Sequence, residues 1–240
     1  MILCLDSGNS RIKWGVHDGT LWLAQGAVPH ARLGELAQLP TRWPEVSRVM
    51  LANVAGEAAA HRIEDALGGW RELVQEVKSS EFAGGVRNGY RQPERLGIDR
   101  WCALIGAHAM VAGAKIVVMA GTATTVDTLN GEGAFLGGMI LPGIGLMLRA
   151  LARETAALPF ANGKHDPLPR CTDDAIVSGV LEAQAGAIER AFKRLPGGGG
   201  LCVLSGGNAA RIAEHLSIPY QLIDNLPLEG LLRLAQESGS

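Results

Sequence analysis

The chain has 240 residues, a formal net charge of −2 and 47% hydrophobic residues. This length and apolar content predict a globular protein with a sizeable core, folded as one large or two small domains. The near-neutral charge argues against nucleic acid as the main partner, because such a partner needs an excess of basic residues. A membrane span needs about 18 apolar residues in a row, and no stretch of the sequence comes near that.

The N-terminus and the cysteines predict a cytoplasmic protein. No basic segment precedes the first apolar run, and Asp6 interrupts that run, so we expect no signal peptide. The four cysteines, Cys4, Cys102, Cys171 and Cys202, are scattered without CxxC spacing. This pattern argues against zinc and disulfide frameworks and favours free thiols.

The chain begins with a short apolar run, Ile2 to Leu5, that predicts a buried strand. Asp6-Ser7-Gly8-Asn9-Ser10 follows as a tight turn, and Lys13 stands three residues beyond it. A carboxylate, backbone N–H groups, hydroxyls and a cation together suit a metal-bound polyphosphate. An ordinary hairpin turn with a solvated lysine is the alternative interpretation.

The remaining elements follow in two similar series. In the first, we predict strands over 12–16, 21–24, 49–54 and 76–78, helices over 30–39, 57–67 and 99–113, and a loop covering a site over 82–96. In the second, we predict strands over 115–120, 126–129, 134–140 and 201–204, and helices over 142–157, 173–195, 209–216 and within 225–240. Both series begin with strand, hydroxyl-rich turn, strand, turn and strand, which indicates an internal duplication of architecture.

Small or hydroxyl residues follow three of the predicted strands directly. These junctions are Asp6 to Ser10, Gly121-Thr122-Ala123-Thr124 and Ser205-Gly206-Gly207-Asn208. Ligands of open α/β sheets bind at the carboxyl ends of strands, so two such turns could hold the phosphates of a nucleotide. Each could also be a plain turn, but their recurrence at equivalent points favours the nucleotide.

Four motifs, in this order, resemble those of type III pantothenate kinases, within the superfamily of sugar kinases, heat-shock ATPases and actin. Asp6 to Ser10 resembles the DxGN(T/S) phosphate motif, and Gly97-Ile98-Asp99-Arg100 resembles the GxDR motif. Gly121 to Thr125 with Gly137 to Gly143 resembles the GTATT…GGxIxPG segment. The segment from Thr172 to Gly179 resembles the one that contacts the substrate.

The resemblance implies an α/β fold of two ribonuclease-H-like (actin-like ATPase) domains, residues 1–112 and 113–240, with a nucleotide cleft between them. It implies ATP-dependent phosphorylation of pantothenate to 4′-phosphopantothenate, the first step of coenzyme A biosynthesis, with Mg²⁺ accompanying ATP. It also implies a homodimer whose substrate pocket lies at the subunit interface.

The resemblance also assigns roles to residues. Asp99 is the expected proton acceptor, a role that a positioned carboxylate beside a glycine-containing loop can fill. The expected substrate contacts are Tyr90, Gly97, Ile98, Asp99, Arg100 and Thr172. The expected ATP contacts are Asp6, Ser7, Gly8, Asn9, Ser10, Arg11, Ile12, Lys13 and Thr122, and Asp6 is also the expected magnesium ligand.

Several of these residues have an ordinary structural alternative. Asp99 and Thr172 could each be the N-cap of a helix, since both stand where a predicted helix begins. Tyr90 could be a loop aromatic, and the Thr122 hydroxyl could belong to a plain β-turn.

One position departs from the family. Many members carry an aspartate two residues before the glycine of GTATT, where it binds a monovalent cation, K⁺ or NH₄⁺. Met119 occupies that position here. A thioether is a poor ligand for a hard cation, so we do not expect a conventional potassium site at Met119, although carbonyls or a water could still hold the cation. Asp127, in the next strand, could compensate or could simply line the cleft.

Two other functions remain open from the sequence. Fold alone does not determine function, so the chain could be a catalytically inactive nucleotide-binding or regulatory module, such as an accessory transcription factor. It could also be a kinase of another small polyol. The pairing of Asp99 with Arg100 favours an enzyme, because a module without chemistry has no need of a base.

Overall fold

In the computed structural model, which describes residues 1–156 and 158–237, the chain divides into two compact units. The first comprises Met1–Ala112 together with the chain from Asn225 onwards, and the second comprises Gly113–Asp224. Every helix within the described residues is too short or too polar to cross a membrane. The sequence predicts one domain over residues 113–240, whereas the structure places the chain from Asn225 onwards in the first unit.

The first unit contains a five-stranded mixed sheet. Its strands are β1 (Ile2–Ser7), β2 (Arg11–His17), β3 (Trp22–Pro29), β4 (Arg48–Asn53) and β5 (Val74–Glu76), in the order β3-β2-β1-β4-β5. The short hairpin β6 (Phe82–Ala83) and β7 (Val86–Asn88) follows. The helices are α1 (Leu39–Arg42), α2 (Glu57–Leu67), α3 (Ile98–Met110) and α7 (Leu226–Glu237).

The alternation of side chains along β1 separates the core from the polar end of the strand. Leu3 and Leu5 are fully buried in a cluster that includes Ile63 of α2. Successive residues of a strand point to opposite faces, so Cys4 and Asp6 lie on the other face of the sheet. Strand β1 therefore carries the Asp6 carboxyl on the face opposite this hydrophobic cluster.

The C-terminal helix α7 packs closely against α3. A Cβ atom at Gly230 would overlap the backbone carbonyl of Cys102, so a side chain there would push the two helices apart. Side-chain hydrogen bonds also hold α7 in the first unit: Trp22 Nε1 donates to Glu229 Oε1 at 2.8 Å, and Arg48 Nη1 donates to the Ala235 carbonyl.

The second unit repeats the architecture of the first. Its strands are β8 (Lys115–Ala120), β9 (Ala123–Leu129), β10 (Ala134–Pro142), β11 (Leu201–Ser205) and β12 (Tyr220–Leu222), and its helices are α4 (Ile144–Glu154), α5 (Thr172–Phe192) and α6 (Ala209–Ala213). Strands β8, β9 and β10 form an antiparallel meander, and β11 and β12 continue from β8 in parallel. The first unit has the same order and directions, which confirms the predicted duplication.

The local predictions differ from the structure at a few places. Residues 30–38 form a 3₁₀ helix instead of an α-helix. The predicted loop over 82–96 contains the hairpin β6–β7 and a 3₁₀ turn at Pro93–Arg95. Strand β12 was not predicted, because its three residues are too few to show a period. Helix α4 ends at Glu154, and Ala157, the predicted end, lies outside the described residues.

Candidate active site

The turn between β1 and β2 is held at both ends by backbone hydrogen bonds. The Gly8 N–H donates to the Arg11 carbonyl at 3.2 Å, and the Val54 N–H donates to the Ser7 carbonyl at 3.0 Å. Asn9 and Ser10 are exposed at the tip. The first unit therefore presents a short, anchored turn of small polar residues at the carboxyl end of β1, where a phosphate group could bind.

Asp6 lies just before this turn and is directly opposite Lys13 in the β1–β2 register. The Asp6 side chain is buried, and its pKa is raised to about 7, chiefly because burial disfavours the carboxylate and secondly because the negative charge of Asp99 repels it. The positive charge of Lys13 lowers this pKa and offsets part of the effect. Two carboxyl groups, Asp6 and Asp99, thus share one electrostatic environment in the first unit.

Asp99 is the second residue of α3, whose N-cap is Gly97. It is therefore not the N-cap, which was the structural alternative for this residue. Asp99 Oδ1 accepts a hydrogen bond from the backbone N–H of Arg100 at 2.8 Å, and the residue is half-buried. The carboxylate is thus fixed by the helix start and still reachable by a ligand.

Arg100 and Tyr90 are bonded to each other next to Asp99. Arg100 Nη1 donates to the Tyr90 hydroxyl at 2.8 Å, and the guanidinium lies 5.5 Å from the centre of the tyrosine ring. Asn88 fixes the loop, since its Oδ1 accepts from the Tyr90 N–H and its Nδ2 donates to the Ser80 and Pro93 carbonyls. The loop therefore brings Tyr90 to Arg100 with defined geometry.

Most of the predicted site residues thus lie in the first unit. One predicted ATP contact has a different environment: the Ile12 side chain is fully buried in the hydrophobic cluster, so only its backbone could reach a nucleotide. The Ser7 side chain is also fully buried, and its hydroxyl has no hydrogen-bond partner among the described residues. Arg11 is exposed beside the turn.

In the second unit, Thr122 lies on the corresponding turn between β8 and β9. The Gly143 N–H donates to the Thr122 carbonyl at 3.0 Å, and a Cβ at Gly143 would overlap the carbonyl of Gly121. Asn208 Nδ2 donates to the Gly121 carbonyl at 3.3 Å. The exposed residue Thr122 thus stands on a turn that the Gly143 backbone and the Asn208 side chain hold from two sides.

Thr172 lies in the second unit, at the first position of α5. The N-cap is Cys171, without a side-chain capping bond, so Thr172 is not the N-cap either. Thr172 lines a cavity of about 900 Å³ whose other walls are mainly apolar, with Met147, Leu151 and Ile176 among them. This cavity is wide enough for a small organic molecule or for apolar side chains.

Met119 lies on one face of the second sheet, opposite Thr125 of β9 and Ser205 of β11. Asp127 lies two residues further along β9 than Thr125, so its side chain belongs to the same face, and it is only 1% exposed. The face around Met119 therefore carries oxygen atoms, although the methionine itself offers only sulfur.

The described side chains that could bind the expected magnesium ion are few. Among residues 1–156 and 158–237, no three or more His, Cys, Asp or Glu side chains form a group that could hold a metal. Mg²⁺ is usually held by one or two carboxylates together with substrate phosphates and water, so a complete protein cage is not required. The buried Asp6 carboxyl fits this pattern.

Sequence reasoning did not single out His30. It lies at the start of the 3₁₀ helix after β3, and its Nε2 donates to the Gly8 carbonyl at 2.7 Å. No local pattern connects His30 with the turn, because 22 residues separate them in the chain.

Comparison with solved structures shows the same fold at low sequence identity. A Campylobacter jejuni protein assigned by name to the Baf family of transcriptional activators has a TM-score of 0.69 and 20% identity, covering 99% of this chain and 98% of that one. A Sinorhizobium meliloti protein assigned by name as a 2-dehydro-3-deoxygalactonokinase has a TM-score of 0.63 and 14% identity, covering 99% of both chains. The predicted fold class, an α/β protein of the actin-like ATPase type, is confirmed.

Sequence comparison identifies the family. The family model described as type III pantothenate kinase matches residues 2–194. A type III pantothenate kinase from Dechloromonas aromatica is 61% identical over 238 residues, covering 99% of this chain and 100% of that relative. The resemblance found in the sequence motifs is therefore confirmed, and the chain belongs to the type III pantothenate kinase family.

Proposed function

We propose that this chain catalyses the ATP-dependent phosphorylation of pantothenate to 4′-phosphopantothenate in the cytoplasm, the first step of coenzyme A biosynthesis. The observation that carries the proposal is the half-buried Asp99 carboxylate beside the bonded Arg100–Tyr90 pair, in a member of this kinase family. An inactive regulatory module would have no use for a carboxylate held in this way.

The transfer needs a base, a positioned alcohol and charge neutralisation. Asp99 accepts the proton of the pantothenate hydroxyl while that oxygen bonds to the γ-phosphorus of ATP, and the bond from phosphorus to the β–γ bridging oxygen breaks to release ADP. Arg100 and Tyr90 orient the substrate next to this base. Because Arg100 is only 4% exposed, water screens its charge weakly.

The phosphates are held by the turn after β1 in this proposal. The small residues Gly8, Asn9 and Ser10 form its tip, and Lys13 stands beside Asp6. Asp6 would be the carboxylate for Mg²⁺, and the ion, when bound, neutralises charge on the phosphates. We propose Thr122, on the corresponding turn of the second unit, as a further ATP contact.

A coupled assay with ATP, Mg²⁺ and pantothenate tests the proposal directly. We expect formation of phosphopantothenate and ADP in equal amounts, with no comparable turnover of other small polyols. Mass spectrometry of the product identifies the phosphorylated alcohol. ADP formation with another polyol, and none with pantothenate, would reassign the substrate while leaving the kinase activity intact.

We propose that catalysis does not depend on K⁺ or NH₄⁺ bound at Met119. A thioether does not attract a hard cation, so kcat should be unchanged when K⁺ is replaced by choline at constant ionic strength. A strong requirement for K⁺ would contradict this prediction. The variant Asp127→Asn would then show whether the buried carboxylate on the same face binds the cation instead.

We also propose that the chain forms a homodimer, with the partner subunit covering the apolar cavity beside Thr172. The support is the exposed apolar surface of the second unit, where Leu168 is 79% and Phe160 60% exposed. Exposed apolar patches on a globular protein commonly mark interaction surfaces.

Light scattering should give twice the monomer mass for the unmodified protein. We expect Leu168→Glu to favour monomers. It should also raise the KM for pantothenate, because the partner subunit would no longer cover the cavity beside Thr172, an expected substrate contact. Leu21→Glu is the matched control, since Leu21 is 54% exposed but lies in the first unit. A monomeric unmodified protein at working concentration would refute the shared pocket.

A further inference from the structure

His30 is bonded to the backbone of the turn that follows β1. Its Nε2 lies 2.7 Å from the carbonyl oxygen of Gly8. Because a carbonyl only accepts hydrogen bonds, Nε2 carries the hydrogen. The other ring nitrogen, Nδ1, is buried and has no hydrogen-bond partner among the described residues. Among the described residues, the ring therefore makes one hydrogen bond, from Nε2 to the Gly8 carbonyl.

Strand pairing explains why a residue so distant in sequence reaches this turn. The antiparallel register of β2 and β3 places Pro29 directly opposite Arg11. His30 follows Pro29 and so lies beside the residues that precede Arg11, which form the turn. The fixed φ of Pro29 restricts the chain at this exit from the strand.

The bond controls the direction of a whole peptide group. The Gly8 carbonyl and the Asn9 N–H belong to one planar trans peptide, so they point in opposite directions. When the carbonyl points to His30, the Asn9 N–H points away from it. Glycine has no Cβ to resist rotation, so this peptide could otherwise turn over and present its oxygen where the N–H now stands.

We propose that His30 is a positioning residue for ATP, which holds the Gly8–Asn9 peptide so that the Asn9 N–H faces the phosphates. This inference rests on the proposed function, because it requires the turn to bind a polyphosphate. A carbonyl oxygen turned toward the phosphates would repel them, whereas an N–H donor attracts them. His30 itself does not contact the ligand, since Nε2 is used by Gly8 and Nδ1 is buried.

Two near-isosteric variants separate the hydrogen bond from the packing of the ring. His30→Gln keeps an N–H donor near the position of Nε2, and His30→Met keeps a similar volume without a donor. We expect His30→Met to raise the KM and the calorimetric Kd for MgATP about tenfold, with the KM for pantothenate and the kcat much less affected. His30→Gln should restore most of the ATP affinity.

His61→Ala is the matched control, because His61 also bonds a backbone carbonyl, that of Glu57, but on the exposed surface of α2. It should leave both KM values unchanged. Equal ATP affinity in the Gln and Met variants would overturn the role of the hydrogen bond, and so would parallel changes for ATP and pantothenate. An unmodified protein without kinase activity would instead count against the proposed function, independently of His30.

Discussion

Replacing Asp99 with asparagine is expected to lower kcat by about 100- to 10,000-fold, the usual contribution of a general base. The amide cannot accept the proton of the attacking hydroxyl. It can still accept the hydrogen bond from the Arg100 N–H, which Asp99 Oδ1 accepts at 2.8 Å in the structure. The start of α3 should therefore keep its geometry, and the loss should be confined to chemistry.

The measurement is the rate of ADP formation together with thermal unfolding and the Kd for MgATP. Asp65→Asn provides the control, because Asp65 is an exposed aspartate on α2, where it pairs with Arg71. We expect that variant to retain full turnover. If Asp99→Asn turned over at a near-normal rate, Asp99 would not be the base, and the proton would have to reach another acceptor.

The features that sequence could predict are local ones. The run before Asp6 is apolar and is followed at once by turn formers, so strand and turn were both readable within a few residues. The repetition of that pattern before Gly121 gave the duplication, because strand order within a meander follows sequence order. The order of the four motifs along the chain indicated the family.

The features that sequence could not predict depend on long-range packing. Helix α7 looked like an ordinary terminal helix, and its long-range contacts, such as that with α3 at Gly230, show that it belongs to the first unit. The bond from His30 to Gly8 depends on the register in which β2 pairs with β3, which no periodicity encodes. Similarly, the burial of Ile12 follows from the face of the sheet on which it lies.

Replacing Asp6 with asparagine is expected to abolish most activity and yet to stabilise the protein at neutral and alkaline pH. The pKa of Asp6 is raised from 3.8 to about 7 by burial and by the charge of Asp99. Between these two pH values, the folded protein holds a proton that the unfolded chain has released. The free energy of unfolding therefore falls as the pH rises through this window.

The size of the effect follows from the same shift. Each pKa unit corresponds to about 1.4 kcal/mol, so above pH 7 the ionised Asp6 lowers the free energy of unfolding by on the order of 4 kcal/mol. Asparagine carries no charge at any pH, so the variant avoids this cost. Its advantage should be largest near pH 8, shrink as the pH falls and vanish below about pH 4.

Urea denaturation at several pH values, without Mg²⁺ or nucleotide, measures this difference, and Asp65→Asn again serves as the control. Equal stability of the Asp6→Asn variant and the unmodified protein at pH 8 would contradict the prediction. Under the proposed function, the destabilisation of ionised Asp6 favours cation binding. The protein itself only partly neutralises this buried carboxylate near Asp99, so a cation that neutralises it binds more tightly. MgATP should therefore stabilise the unmodified protein more than the variant, and the excess should grow with pH across the same window.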